Sequence, residues 1–94
     1  MMWLEKWHQD VHLYLDADSY DPGELRAELD AKPEFRASTE EKFRRVLENR
    51  PFSAQEWEDR NNVDFDDDAE LYEYLKRVYL FLFEAGPWPN TRDV

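Results

Sequence analysis

The sequence predicts an all-α fold: a small single-domain bundle of four to five helices around a buried C-terminal helix. Three observations carry this expectation. Residues 66–86, DDDAELYEYLKRVYLFLFEAG, have the start signals, stop signals and apolar spacing of one long helix. Three shorter stretches each open on a capping residue and close at a proline or an asparagine pair. Aromatic residues make up 16% of a chain that is 37% charged, so the apolar bulk needed for a core is present despite the charge. With 94 residues, one acidic helical domain, 1–94, accounts for the whole chain.

The first element spans residues 2–16. Trp3, Trp7 and Val11 recur at four-residue steps, with Leu4, Tyr14 and Leu15 alongside, as on an amphipathic helix. Val11, Leu13 and Leu15 also alternate with His12, Tyr14 and Asp16 in a strand pattern, but the longer window favours helix. ADSYDPGE is a loop. A second helix starts with Asp21 as N-cap, Pro22 at its first position and Glu24 in its first turn, and runs to about Lys32 with Leu25 and Leu29 inward. Pro33 ends or kinks it, and Phe35 packs as a short connector. Ser38, with Glu41 three residues on, is expected to cap a third helix over residues 39–50 that buries Phe43, Val46 and Leu47. Its outer face, Lys42, Arg44, Arg45, Glu48 and Arg50, is the most basic part of the chain. After Pro51, Ser53 caps a short fourth helix with Glu56 at the box position and Trp57 inward, and Asn61-Asn62 suits a left-handed end.

Val63 and Phe65 lead into the last helix. Asp67 is its N-cap and Glu70 completes a capping box. Leu71, Leu75, Val78 and Leu82 share a face, flanked by Tyr74, Phe81 and Ala85. Residues 78–83, VYLFLF, are apolar on almost every side, which predicts a buried back half and an acidic front half that projects toward water. The apolar run falls well below the ~18–20 residues needed to cross a bilayer. Gly86 is expected at a left-handed C-terminal position, with Pro87 and Pro89 preventing continuation and Trp88 folding back on the core.

The net charge is -11, and it is unevenly spread. Residues 51–70 hold one base, Arg60, against Glu56, Glu58, Asp59, Asp64, Asp66, Asp67, Asp68 and Glu70. Such a surplus disfavours nucleic-acid phosphates and anionic membranes as partners and favours a basic protein. The absence of cysteine excludes disulfides, a thiol nucleophile and cysteine metal sites. MMWLEKWHQDVH has neither the basic start nor the apolar run of a signal peptide, so the cytoplasm is the expected compartment.

The motifs that could carry chemistry fall short of it. His8 and His12 stand one helical turn apart, and HQDVH echoes the HExxH pattern of zinc peptidases, but Gln9 replaces the glutamate that acts as general base and no third ligand is evident. Asp64, Asp66 and Asp68 alternate like the first ligands of an EF-hand loop; counted from Asp64, the required glycine and glutamate are Ala69 and Leu75. No catalytic carboxylate pair stands out, and with two glycines there is no phosphate-binding loop. The expectation is a non-enzyme without cofactor or metal.

What remains is the acidic surface itself. Glu56, Glu58, Asp59, Asp64, Asp66, Asp67, Asp68 and Glu70, joined on the next turn by Tyr72 and Glu73, have the composition of a partner-binding surface: carboxylates to meet Lys or Arg, and an exposed aromatic. A solvated acidic face is the alternative. The stretch PFSAQEWEDRNNVDFDDDAELYEYL, a short capped helix, an acidic turn and an acidic-fronted longer helix, resembles bacterial toxin immunity proteins of the colicin and contact-dependent growth inhibition type. The Asp-x-x-Tyr-Tyr-Pro signature of the DNase-colicin branch is not present, so no residue role is carried over. The resemblance implies an inhibitor that neutralises a cognate, basic, nuclease-type toxin. The other readings are a non-inhibitory acidic interaction module or nucleic-acid mimic, and a metal-binding helical domain through His8 and His12.

Overall fold

The computed structural model describes residues 2–90. Five α-helices follow one another: α1 (Met2–Leu15), α2 (Pro22–Ala31), α3 (Pro33–Asn49), α4 (Ala54–Asn61) and α5 (Asp68–Phe83), with a single 3-10 turn at Ala17–Ser19. No strand occurs among the described residues, and 11–15 is the last turn of α1. The all-α expectation holds. α5 packs most extensively on α2 and α3, α1 lies across α2 and α3, and α4 is held by α1. The radius of gyration is 12.3 Å, against about 12 Å for a compact chain of this length.

Local signals set most boundaries. Asp21 accepts from the Glu24 N–H at 3.0 Å with Pro22 at the first helical position, so α2 starts where a fixed φ and a missing donor cost nothing. Ser53 and Glu56 form a complete capping box. Asp67 caps α5 through the Glu70 N–H at 2.8 Å, but the Glu70 side chain does not return the bond, so the box expected there is half formed. The third helix departs from expectation. It begins at Pro33, not after Ser38, with Lys32 as its N-cap and no side-chain cap. Pro33 ends α2 and, being tolerated at a first helical position, opens α3 at the next residue. Phe35 is therefore helical, and Ser38 is an interior residue whose hydroxyl accepts from Lys42.

The core runs from Trp7, Val11 and Leu15 of α1 through Leu25 and Leu29 of α2, Phe43 and Val46 of α3 and Trp57 of α4 to α5. Leu71, Tyr74, Leu75 and Val78 of α5 are fully buried, as the helical phase predicts. The back half is less enclosed than expected: Phe81, Leu82 and Phe83 are buried, but Tyr79 and Leu80 stay half-exposed. Tyr79 is positioned by polar bonds, its hydroxyl accepting from Arg44 Nε at 2.9 Å and donating to Glu40 at 3.0 Å.

The end of α5 reverses the roles expected of two residues. Ala85 has the positive φ, 56°, and Gly86 does not. Gly86 is instead required by close approach: a Cβ there would lie 3.0 Å from both the carbonyl carbon and the Cβ of Leu80, whose carbonyl oxygen accepts from the Glu84 and Gly86 N–H groups. Beyond it, Trp88 packs edge-on against Phe81 at 5.5 Å, and the Tyr20 hydroxyl donates to the Pro89 carbonyl, so the tail folds back on the core.

Two predictions follow from this packing. Gly86→Ala should destabilise by about 1–3 kcal/mol, because backbone atoms must give way, whereas Ala85→Gly should stabilise by about 1 kcal/mol by removing left-handed strain. Urea denaturation of both variants measures the pair. Had Gly86 been the left-handed residue, Ala85→Gly would give no gain. Leu75→Ala should cost about 2–5 kcal/mol, while Lys76→Ala on the exposed side should stay within about 0.5 kcal/mol. The same denaturation measurement checks the phase of α5.

Candidate acidic interface and a cavity between α1 and α4

The carboxylates singled out from the sequence come together where two helix N-termini meet. Asp68, in the first turn of α5, accepts from the Ala54 N–H at the start of α4 at 2.7 Å. The positive ends of both helix dipoles therefore face the same acidic edge, and each stabilises negative charge beside it. Glu56, Glu58 and Asp59 come from α4, Asp64, Asp66 and Asp67 from the connection, and Asp68, Glu70 and Glu73 from α5. In the connection, Val63 and Phe65 turn inward and are buried, which leaves Asp64 and Asp66 exposed between them.

These acids divide into two kinds. Asp67 and Asp68 hold backbone N–H groups, Glu56 closes the capping box, and Glu58 and Asp59 accept from Gln55 at 3.1 Å. Asp64, Asp66, Glu70 and Glu73 are exposed, and their side chains hold no other group among the described residues. None of the nine carboxylates pairs with a cation among the described residues. Arg60, the one base of the segment, turns away to Glu5 of α1 at 2.7 Å. The basic face of α3 is occupied from within: Arg44 and Arg36 meet Glu40, Arg45 meets Glu41, and Arg36 also reaches Asp30. Surface ion pairs add little stability. Their placement nevertheless leaves the acids of this edge uncompensated among the described residues.

Tyr72 corrects the sequence reading. It was expected on the exposed first turns of α5, yet it is 3% exposed. Its hydroxyl accepts from the Phe52 N–H at 3.2 Å and donates to the Phe52 carbonyl at 2.6 Å, satisfying both backbone groups of one residue. Burial raises its pKa above the ordinary phenol value. Tyr72 is a staple between α5 and the segment before α4, not an exposed anchor. It forms part of the floor of a groove of about 350 Å³ between α3 and α5, which Glu73 and Lys76 flank.

A second concavity, of about 420 Å³, lies between α1 and α4, lined by His8, Gln9, His12, Arg60 and Asn61. Sequence reasoning brought the two histidines to one helix face but missed Asn61, which is 2% exposed and whose Oδ1 lies 3.0 Å from His12 Nδ1. His8 is 5% exposed, edge-on to Trp7 at 5.0 Å and close to Phe52 at 4.9 Å. Burial, with Arg60 next in effect, pushes its pKa down to about 4, while Glu5 and Glu56 oppose the shift. No group of three or more His, Asp or Glu among the described residues is placed to hold a metal together, Asp64, Asp66 and Asp68 included.

No protein-family model matches this chain, nor does any curated protein or solved structure. No helix among the described residues is long and apolar enough to cross a membrane.

The buried imidazole makes stability depend on pH. A histidine whose folded pKa lies below its unfolded value of about 6.5 contributes stability above pH 6.5 and loses it as pH falls toward the folded value. For His8 the loss should reach about 3 kcal/mol by pH 4. His8→Phe keeps a ring among Trp7, Phe52 and Trp57 without taking a proton. The stability difference between wild type and His8→Phe, measured by denaturation at pH 7 and pH 4, should shift by that amount in favour of the variant.

Proposed function

We propose that this protein is a proteinaceous inhibitor of the immunity-protein kind. It acts in the cytoplasm and neutralises a basic, nuclease-type toxin by laying its acidic edge on the toxin's substrate groove. The observation that supports this reading is the unbalanced edge itself. Nine carboxylates stand there without a cationic partner among the described residues, while the arginines of α3 are engaged by acids of their own helix or the end of α2. A nuclease groove is lined by the lysines and arginines that hold phosphates, and carboxylates set on a rigid scaffold can take the phosphates' place. The edge is rigid because Asp67, Asp68 and the Ser53–Glu56 box tie down both helix starts. Opposite charge steers association and leaves much of the specificity to what is buried at the centre of contact.

The acids that only carry charge can be separated from those that also hold the fold. Reversing Asp67 or Asp68 would remove a cap along with a charge. Asp64, Asp66 and Glu73 can be reversed to lysine without breaking a bond. The partner recovered by pull-down from the source cells should be basic and should lose nuclease activity when the wild-type protein is added. The Asp64→Lys, Asp66→Lys, Glu73→Lys variant should associate about tenfold more slowly or worse at low salt. The gap should close as ionic strength rises and the screening length shrinks to about 8 Å. A recovered partner that binds the variant as fast as wild type across the salt series would reduce the edge to a solvated face. One that binds by charge but keeps full activity would mark the protein as a non-inhibitory acidic module.

A further inference from the structure

The cavity between α1 and α4 is lined by none of the acids of the edge, although Glu56 lies near enough to act on His8, and nothing in the proposed inhibition uses it. From the sequence, His8 and His12 are two histidines one turn apart, without the base or third ligand of a zinc peptidase. The fold adds three things. Both rings line the same cavity. Asn61, distant in sequence, fixes one of them: an amide oxygen only accepts, so in the neutral ring the 3.0 Å bond selects the tautomer with the proton on His12 Nδ1 and the lone pair on Nε2. That is how metal-ligating histidines are oriented, the second ring nitrogen donating to an oxygen behind it. His8 is fixed differently, wedged among Trp7, Phe52 and Trp57.

We propose that His8 and His12 form a two-imidazole binding site for a divalent transition metal, with Cu²⁺ held more tightly than Zn²⁺ and with Mg²⁺ and Ca²⁺ not held. Imidazole nitrogens suit copper, nickel and zinc, while magnesium and calcium take oxygen ligands. Glu5 and Glu56 are near enough to act on His8 and favour a cation there; Arg60 opposes one and is itself tied to Glu5. With no third His, Asp or Glu among the described residues placed beside the pair, water completes the coordination. Such a site is open and exchangeable, unlike a closed four-ligand structural site.

The test titrates the full chain with CuCl₂ and ZnCl₂ by calorimetry, with NMR to locate the bound ion. One equivalent should bind, with the largest signal changes at His8, His12 and Asn61. His12→Ala should weaken binding at least tenfold, and His8→Phe, which preserves the aromatic packing, should do the same. Asn61→Ala should weaken it about tenfold by releasing the His12 ring. Arg60→Gln should tighten it, because a cation leaves the rim and Glu5 is freed. The Asp64→Lys, Asp66→Lys, Glu73→Lys variant should bind metal within twofold of wild type, which keeps this site separable from the inhibitor reading. Binding unchanged in His12→Ala and His8→Phe, changes centred on the acidic edge, or comparable binding of Mg²⁺ would each overturn the proposal.

Discussion

Trp7 is the contact on which the rest of this fold depends. Its ring meets Phe43 of α3 edge-on at 5.2 Å, stacks on Phe52 of the α3–α4 connection at 5.8 Å and reaches Trp57 of α4 at 6.0 Å. Phe52 in turn stacks on Trp57 and touches Tyr72, which brings in α5. α4 is two turns long and could not persist alone, since an isolated helix shorter than ~12–15 residues is marginal in water. It exists because Trp57 is fully buried in this cluster and its first turn is capped. Neither the Trp7 nor the Trp57 indole N–H finds an acceptor among the described residues. Unmade bonds of that kind cost about 1–3 kcal/mol each, so the burial of the rings has to outweigh them.

Both features with a candidate function are built on α4. One face helps form the acidic edge, and the other closes the cavity that holds the two imidazoles. The high charge is eased where Glu56, Asp67, Asp68 and Glu70 stand at the adjoining starts of α4 and α5, beside the positive partial charge of the backbone. A like number of carboxylates along the middle of a helix would meet only one another.

Local features of this architecture were legible in the sequence. Asp21-Pro22, Ser53 with Glu56, and Asp67 each mark a helix start because a cap needs only four consecutive residues to work. What went unread depended on contacts between distant residues. Tyr72 sits at the edge of the apolar stripe of α5, and periodicity could not reveal that Phe52 would offer it both backbone groups. Ser38 and Glu41 carry a valid start signal, but Pro33 had already begun the helix, and a signal inside an existing helix is silent. Gly86 was given the left-handed role on residue type alone, whereas the decisive factor was how near the chain returns to Leu80. The acidic edge was legible as composition, and Asn61 behind His12 was not, because they lie on separate helices.

The split among the acids bears on how such a surface could change over generations. Asp67 and Asp68 are held in place by α4 and α5 themselves, whatever the protein binds. Asp64, Asp66 and Glu73 answer to no requirement of the fold. Substitution at those three positions breaks no hydrogen bond among the described residues, so the charge on this edge can change residue by residue on an unchanged frame. Through such changes the capping aspartates would remain as a fixed minimum of negative charge.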